Sequence, residues 1–309
     1  MQRTDYPALC QAASNASRDG QAVYLRLMKA DLVLLVVAAA LGSISPLVPP
    51  ESGSLFAVVA AVAVLTAVLV KLVNRGRPGD RDWFDGRAVA ESVKTQTWRY
   101  MMRVEPFDDD TTCDAEFARG LKATISARPG LPLDPGRLPQ GAEQITTKMR
   151  EVRRLTLLDR RDFYIQHRLD NQAAWYRDKC CANRTAAGRW FWATISAQFA
   201  AISLAIVRIA VPVVGLSLVS FLAALAAALT AWTQVRRNDE LSKSYGLAWQ
   251  ELLTVKSQAD KAVTEVNLGS VVLEGEGAIS REHTMWVAKR CDPLPLSILG
   301  SDRTRSPSC

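Results

Sequence analysis

The sequence predicts an all-α membrane protein: two transmembrane helical hairpins, four spans in all, joined to a cytoplasmic helical bundle. Three observations carry this. Two pairs of apolar runs, roughly Leu32–Val48 with Leu55–Val73 and Trp190–Val211 with Val213–Trp232, each double back through a nearly uncharged loop. About 18 apolar residues at ~1.5 Å rise cross most of a ~30 Å hydrocarbon core. Lys and Arg gather at the outer flanks of each pair. The segments beyond the pairs repeat apolar residues every three or four positions, the period of a helix. Although 49% of the 309 residues are hydrophobic and 22% charged, the charges avoid the four runs, which only Lys71 and Arg208 interrupt.

Residues about Tyr6–Ala30 read as a helix feeding into span one. The roughly 30 residues before the first run carry Arg3, Arg18, Arg26, Lys29 and Asp31. They lack the short basic start and small-residue cleavage site of a signal peptide, so the first hairpin is expected to stay in the mature protein. After span two, Asn74–Asp82 is rich in Arg, Gly and Pro and predicts a turn at the membrane surface. Trp83–Arg103 places Val89, Val93, Thr97 and Met101 on one helical stripe. Asp108–Asp110 precede a short helix over Asp114–Ala127. The run ARPGLPLDPGRLPQG then predicts a linker. It sets the expected domains: a first two-transmembrane unit at 1–127, a linker at 128–141 and a second unit at 142–291.

The second half is expected to open with one long helix, Ala142 to Arg189, because no Pro or Gly falls there before Gly188. Ile145, Met149, Val152, Leu155 and Leu158, then Ile165, Leu169, Ala173 and Tyr176, form a stripe that needs a partner helix or a second subunit. Span four is expected to continue into Gln234–Lys261, and Ser270–Arg290 to close the ordered part. The tail, 292–309, mixes Pro, Ser and Arg and predicts disorder. Both halves thus share one order: cytoplasmic helix, apolar hairpin, cytoplasmic helix. Ala12-x-x-Asn15-x-Ser17 before the first hairpin echoes Ala182-Asn183-x-Thr185 before the second, which suggests an internal duplication.

Orientation follows from the basic residues. Arg26 and Lys29, Lys71 to Arg81, Arg177 to Arg189, and Arg236 to Lys243 flank the spans, whereas the loop Gly42–Ser54 offers only Glu51 and the loop at Pro212–Gly215 no charge. Both termini and the middle segment are therefore expected in the cytoplasm, with the spans in the inner membrane of a bacterial cell. The net charge of +7 sits beside the spans, where it meets anionic lipid, so nucleic acid is not an expected partner. All six cysteines lie outside the spans on the expected cytoplasmic side, where disulfides are disfavoured. Two histidines and no Cys-x-x-Cys leave no zinc spacing and no expected metal or cofactor. Cys180 and Cys181 read as small helix residues, or as lipidation sites beside the membrane.

Trp83–Phe107 is the most distinctive stretch. On a helix, Arg87, Glu91, Lys94 or Thr95, and Trp98 share one face. This reads as a packing device, or as a contact with another subunit or partner, since Arg and Trp dominate interfaces. The run ISREHTMW sets Glu282 and Trp286 at i,i+4 with a similar content, and His283 between them reads as a solvated residue or a pH sensor. Arg208 either snorkels to the outer interface or lines a water-filled path through an oligomer. No phosphate-binding loop, nucleophile elbow or metalloprotease pair occurs, so no enzyme is expected.

GRAVAESVKTQTWRY after an apolar hairpin resembles the SLATT domains, the SMODS and SLOG-associating two-transmembrane effector domains. The second half, with YIQHRLDNQAAWY, YGLAWQEL and ISREHTMW, is similar to another subtype of that family. The resemblance covers roughly Tyr6–Arg290 as two tandem units. It implies a bacterial membrane effector that forms a pore or perturbs the membrane, in an anti-phage conflict system signalled by a cyclic-nucleotide synthase or a SLOG-type sensor. Glu91, Lys94, Trp98, Glu251, Glu282 and Trp286 match signature positions to which it assigns no role. A homo-oligomer in the lipid bilayer is the expected form. A non-conducting membrane-anchored scaffold for a cytoplasmic partner is the alternative, and a small-molecule transporter a third.

Overall fold

A computed structural model describes residues 1–45, 48–76, 79–210 and 216–291, with the side chains of 75–80, 210–217 and 281–291 outside the description. Ten α-helices account for most of these residues, and no strand occurs among them: α1 (Ala8–Ile44), α2 (Pro50–Gly76), α3 (Gly79–Met101), α4 (Cys113–Ser126), α5 (Thr147–Arg153), α6 (Leu157–Tyr164), α7 (Asn171–Ala210), α8 (Leu216–Arg236), α9 (Asn238–Ala259) and α10 (Glu265–Cys291). A π-helical segment, Ile165–Asp170, joins α6 to α7 without a break. Four helical stretches are long and apolar enough to cross a membrane: Ala8–Ile44, Pro50–Asn74, Leu157–Ile209 and Leu218–Ala259. The expected tail, 292–309, and the second hairpin loop lie outside the described residues.

The two halves are built on one plan. The N-terminal part of α1 packs on α3, where Ser17 Oγ donates to the Trp83 carbonyl at 3.0 Å. Its membrane part packs on α2, where Asp31 meets Lys71 at 3.9 Å. The N-terminal part of α7 packs on α9, where Ser242 Oγ donates to the Cys180 carbonyl at 3.1 Å. Its membrane part packs on α8, with Trp190 edge-on to Trp232 at 6.2 Å. In each half one long helix therefore serves both the bundle and the bilayer. The hairpins meet through α1 and α8, and α10 joins the parts outside the spans by packing on α9 and α3.

Small residues decide how the spans touch. Ala38, Ala63, Ala67, Ala197 and Ala226 are buried, while Leu55, Leu65, Leu69, Phe199, Ile202 and Ile206 point outward. Lipid tails are as apolar as leucine, so spans associate through close backbone approach rather than hydrophobic drive, and small side chains permit it. Outside the bilayer the logic reverses. Val93, Met101, Phe117, Met149, Leu252 and Val272 belong to one continuous buried core. Gly86 sets the approach of α3 to α1: a Cβ there would lie 2.8 Å from both the Ala13 oxygen and the Ser17 nitrogen.

Two expected helices are interrupted. No helix starts at Ala142. Instead the Glu143 carbonyl accepts from Ala8 N at 2.9 Å, and Gln144 Oε1 accepts from Leu9 N at 3.2 Å. Pro7 before α1 offers no side-chain cap, so the chain returning from the linker satisfies the helix's orphan N–H groups. Helix α5 then starts on Thr146, whose Oγ accepts from Met149 N, and α6 starts on Thr156, whose Oγ accepts from Asp159 N. The break turns the stripe, so Met149 and Val152 are buried but Leu155 and Leu158 are 38% and 49% exposed. Span four is interrupted too: Arg237 adopts φ 47°, ψ 38°, between α8 and α9. A left-handed non-glycine residue costs on the order of 1–3 kcal/mol. Here Arg237 reaches Glu240 at 2.8 Å.

Candidate functional site

Residues 153–168 carry three arginines that the core swallows. Arg153, Arg160 and Arg168 are 5%, 1% and 2% exposed. Arg153 donates to the Tyr100 carbonyl at 2.7 Å, and Arg160 to the Met102 carbonyl at 2.9 Å. These carbonyls end α3, where a helix leaves its last C=O groups without partners and favours cations. Arg153 also holds Asp110 at 2.6 Å, and Arg160 pairs with Glu265. The segment after the linker thereby grips the end of α3.

Arg168 lies deeper. Its Nε and one terminal nitrogen donate to the two oxygens of Glu276 at 2.8 and 2.7 Å. Both side chains are 2% exposed. Thr95 of α3 donates its hydroxyl to the same carboxylate at 2.9 Å, and the Tyr164 hydroxyl donates at 3.4 Å. The guanidinium stands 5.8 Å from the centre of the Trp98 ring. Trp98 in turn donates Nε1–H to the Tyr6 hydroxyl at 3.2 Å. Burial works against the guanidinium charge, yet Glu276 outweighs it and holds Arg168 protonated above the ordinary arginine range. Burial, reinforced by Glu276, keeps the Tyr164 phenol neutral. The site gathers both halves: Tyr6, Thr95 and Trp98 from the first, Tyr164, Arg168 and Glu276 from the second. Arg168 stands in the π-helical segment, a geometry that recurs at functional sites inside α-helices.

A second feature lies where the bundle meets the bilayer. A groove of ≈ 870 Å³ runs between the two hairpins. One wall carries Asp31, Leu35 and Lys71, the other Ala224, Ala228 and Gln234. Asp31 is 7% exposed although it opens an apolar span. Lys29 lies 5.9 Å from the centre of the Trp232 ring, and Arg236 lies 5.8 Å from it, the amphipathic belt expected at a membrane surface.

The residues singled out by sequence fall in several places. Trp98 is fully buried, so it packs inside the bundle and presents no surface to a partner. Glu91 pairs with Lys94 at 2.8 Å, one turn away. Burial raises the Glu91 carboxyl, but Lys94 in contact and Arg168 and Arg87 beyond it hold the net value below the ordinary range. Arg87, Glu91 and Lys94 line one pocket of ≈ 290 Å³ in the bundle. Glu251 is half-buried on α9. Glu282, His283 and Trp286 fall on the backbone of α10, but their side chains lie outside the described residues. Arg208 occupies the last turn of α7. It is about 27 Å beyond Trp190 at ~1.5 Å per residue, at the end of the span remote from the bundle and far from the groove. Sequence reading missed Arg168, Tyr164 and Glu276. One signal was present: Glu276 falls between Val272 and Ile279 on the apolar stripe of α10, where an acid is buried only if paired.

The family model described as SMODS and SLOG-associating 2TM effector domain 3 matches residues 7–161. The model described as SMODS and SLOG-associating 2TM effector domain 1 matches residues 164–286. The first runs past the linker and through α5 to the middle of α6. No curated protein matches the chain, and no solved structure does.

Proposed function

Because the chain belongs to the SLATT family, as two two-transmembrane effector units in tandem, we propose that it is a membrane effector that opens a pore or perturbs the bilayer. The trigger is a signal from a cyclic-nucleotide synthase or a SLOG-domain sensor of an anti-phage system. The observation that carries this reading is the make-up of the spans. Within one chain they bury alanines and turn Leu55, Leu65, Leu69, Phe199 and Ile206 outward. Most of each apolar span is left uncovered by the rest of the chain. Faces so exposed suit packing against lipid or against further copies in a homo-oligomer. The basic flanks support an inner-membrane setting with both termini in the cytoplasm. We assign the chain no catalytic role. Arg208, at the outer end of α7, is the cation placed to act on anions in such a path.

Leakage of a trapped dye from liposomes holding the inserted oligomer tests the proposal, with and without cyclic nucleotides. An inserted oligomer that releases no dye in either condition refutes it. Ion selectivity unchanged by Arg208→Leu removes that residue from the path. The alternative, a non-conducting scaffold, is favoured by the cytoplasmic bundle's own continuous core. Exchanging both hairpins for unrelated ones separates the two, because a scaffold survives the exchange and a pore does not.

A further inference from the structure

A cavity of ≈ 540 Å³ is lined by α7, α8 and the start of α9, where the second pair of spans meets the bundle. Thr194 and Thr230 line it from within the apolar runs, whereas Asn238, Asp239 and Glu240 line it from the first turn of α9, beyond the basic flank at Arg236. The cavity therefore crosses the membrane surface, and its volume lies within the ~300–1,000 Å³ of ligand sites.

Its lining is rich in hydrogen-bond acceptors. Thr194, Thr230 and Thr233 each donate the hydroxyl proton to a backbone carbonyl of their own helix, at 2.9, 2.9 and 2.7 Å. Each oxygen then keeps lone pairs and no donor. Asn238 is 5% exposed, and its Oδ1 has no partner among the described residues. A buried acceptor without a donor is costly, so a ligand that brings one gains there. Asp239 and Glu240 hold Lys243 and Arg237 and still have lone pairs to offer. From α7 come Trp190, held edge-on to Trp232, and Phe191, 56% exposed. Aromatic faces attract cations. Acceptors beside aromatic rings fit an ammonium that still carries N–H bonds. We propose that this cavity binds the primary-ammonium headgroup of a membrane lipid of the phosphatidylethanolamine class.

Two features select a lipid over a soluble amine. The cavity reaches Thr194 and Thr230 inside the apolar runs, where a lipid's glycerol and chains lie. Arg237 stands in the same lining as the acceptors, so a headgroup carrying phosphate next to its ammonium meets both partners. Phosphatidylcholine has the same charges but no N–H, and its methyl groups cannot satisfy Asn238. The site stands on the four spans alone, whether or not they conduct.

The test is native mass spectrometry of the full chain in detergent, titrated with phosphatidylethanolamine, phosphatidylcholine and phosphatidylglycerol of identical acyl chains. One phosphatidylethanolamine per chain is expected, retained at least about tenfold more tightly than the other two, the worth of a lost charge-assisted hydrogen bond. Asn238→Leu erases the preference over phosphatidylcholine. The near-isosteric pair Thr230→Val with Thr233→Val weakens phosphatidylethanolamine severalfold at an unchanged melting temperature and leaves phosphatidylcholine as it was. Equal retention of the three lipids overturns the proposal. So does a preference that survives both Asn238→Leu and the threonine pair. Displacement of the bound lipid by an equal concentration of soluble glycerophosphoethanolamine makes the cavity a solute site and overturns the lipid assignment.

Discussion

Replacing Glu276 by glutamine strips the Arg168 guanidinium of its counter-charge while keeping the side chain's volume. Both partners are 2% exposed, so water cannot take the carboxylate's place. Removing one member of a buried pair costs ~3–5 kcal/mol, mostly for the charge left behind. The glutamine carbonyl still accepts one bond, which puts Glu276→Gln near ~3 kcal/mol. At ~2–4 °C per kcal/mol for a domain of this size, the expected fall in melting temperature is about 6–12 °C. Far-UV circular dichroism of the detergent-solubilised chain reads the transition. The double variant Arg168→Met with Glu276→Leu should recover most of the loss, because matched apolar groups replace a buried pair at little or no cost. Single variants that melt within about 2 °C of the parent, or a double variant no better than the worse single, would refute the reasoning.

Three further outcomes follow from the packing. Gly86→Ala forces a Cβ against the backbone of Ala13 and Ser17 and should cost about 1–3 kcal/mol, seen as a lower melting temperature. Gly130→Ala, with nothing within 4 Å, is its neutral control. Burial pushes the Cys10 thiol up to about 11, and the residue is 3% exposed. Maleimide should therefore label the exposed Cys181 and spare Cys10 until the bundle unfolds; equal labelling rates in single-cysteine variants would contradict the α1–α3 contact. Burial raises the Asp114 carboxyl, but the Tyr100 hydroxyl and Arg150 outweigh it and hold it below the ordinary range. A depressed folded value stabilises above the unfolded one, ~3.9, and this is lost as pH falls through the folded value. Melting temperature should thus fall on acidification below pH ~4, less steeply in Asp114→Asn.

The spans were legible because four apolar runs of membrane length, broken only by Lys71 and Arg208, have few other uses. The repeat was legible as order, but its physical content was not: nothing in the residues of α1 says that α3 and α2 will share it end to end. The break before α6 was written in the sequence as Thr156-Leu157-Leu158-Asp159, a capping pattern at a helix start. It was hidden by the longer stripe from Ile145 to Tyr176. The tie of Glu143 and Gln144 to the start of α1 spans some 135 residues, and no local pattern announces it. Arg237 in the left-handed region is equally silent, because arginine carries no preference for it. Arg87, Glu91 and Lys94 were found for their shared helical face, whereas the pocket they line needed α7 to close it.

The sharing of α1 between bundle and bilayer has a mechanical side. Its 37 residues run without a proline, some 55 Å of rod at ~1.5 Å per residue. A rod without a joint converts rotation at one end into displacement at the other. Tilting it by ~10° about Asp31 would carry Ile44, about 20 Å away along the axis, sideways by roughly 3 Å. That is close to the width of a water molecule, and it needs no unfolding and no hinge.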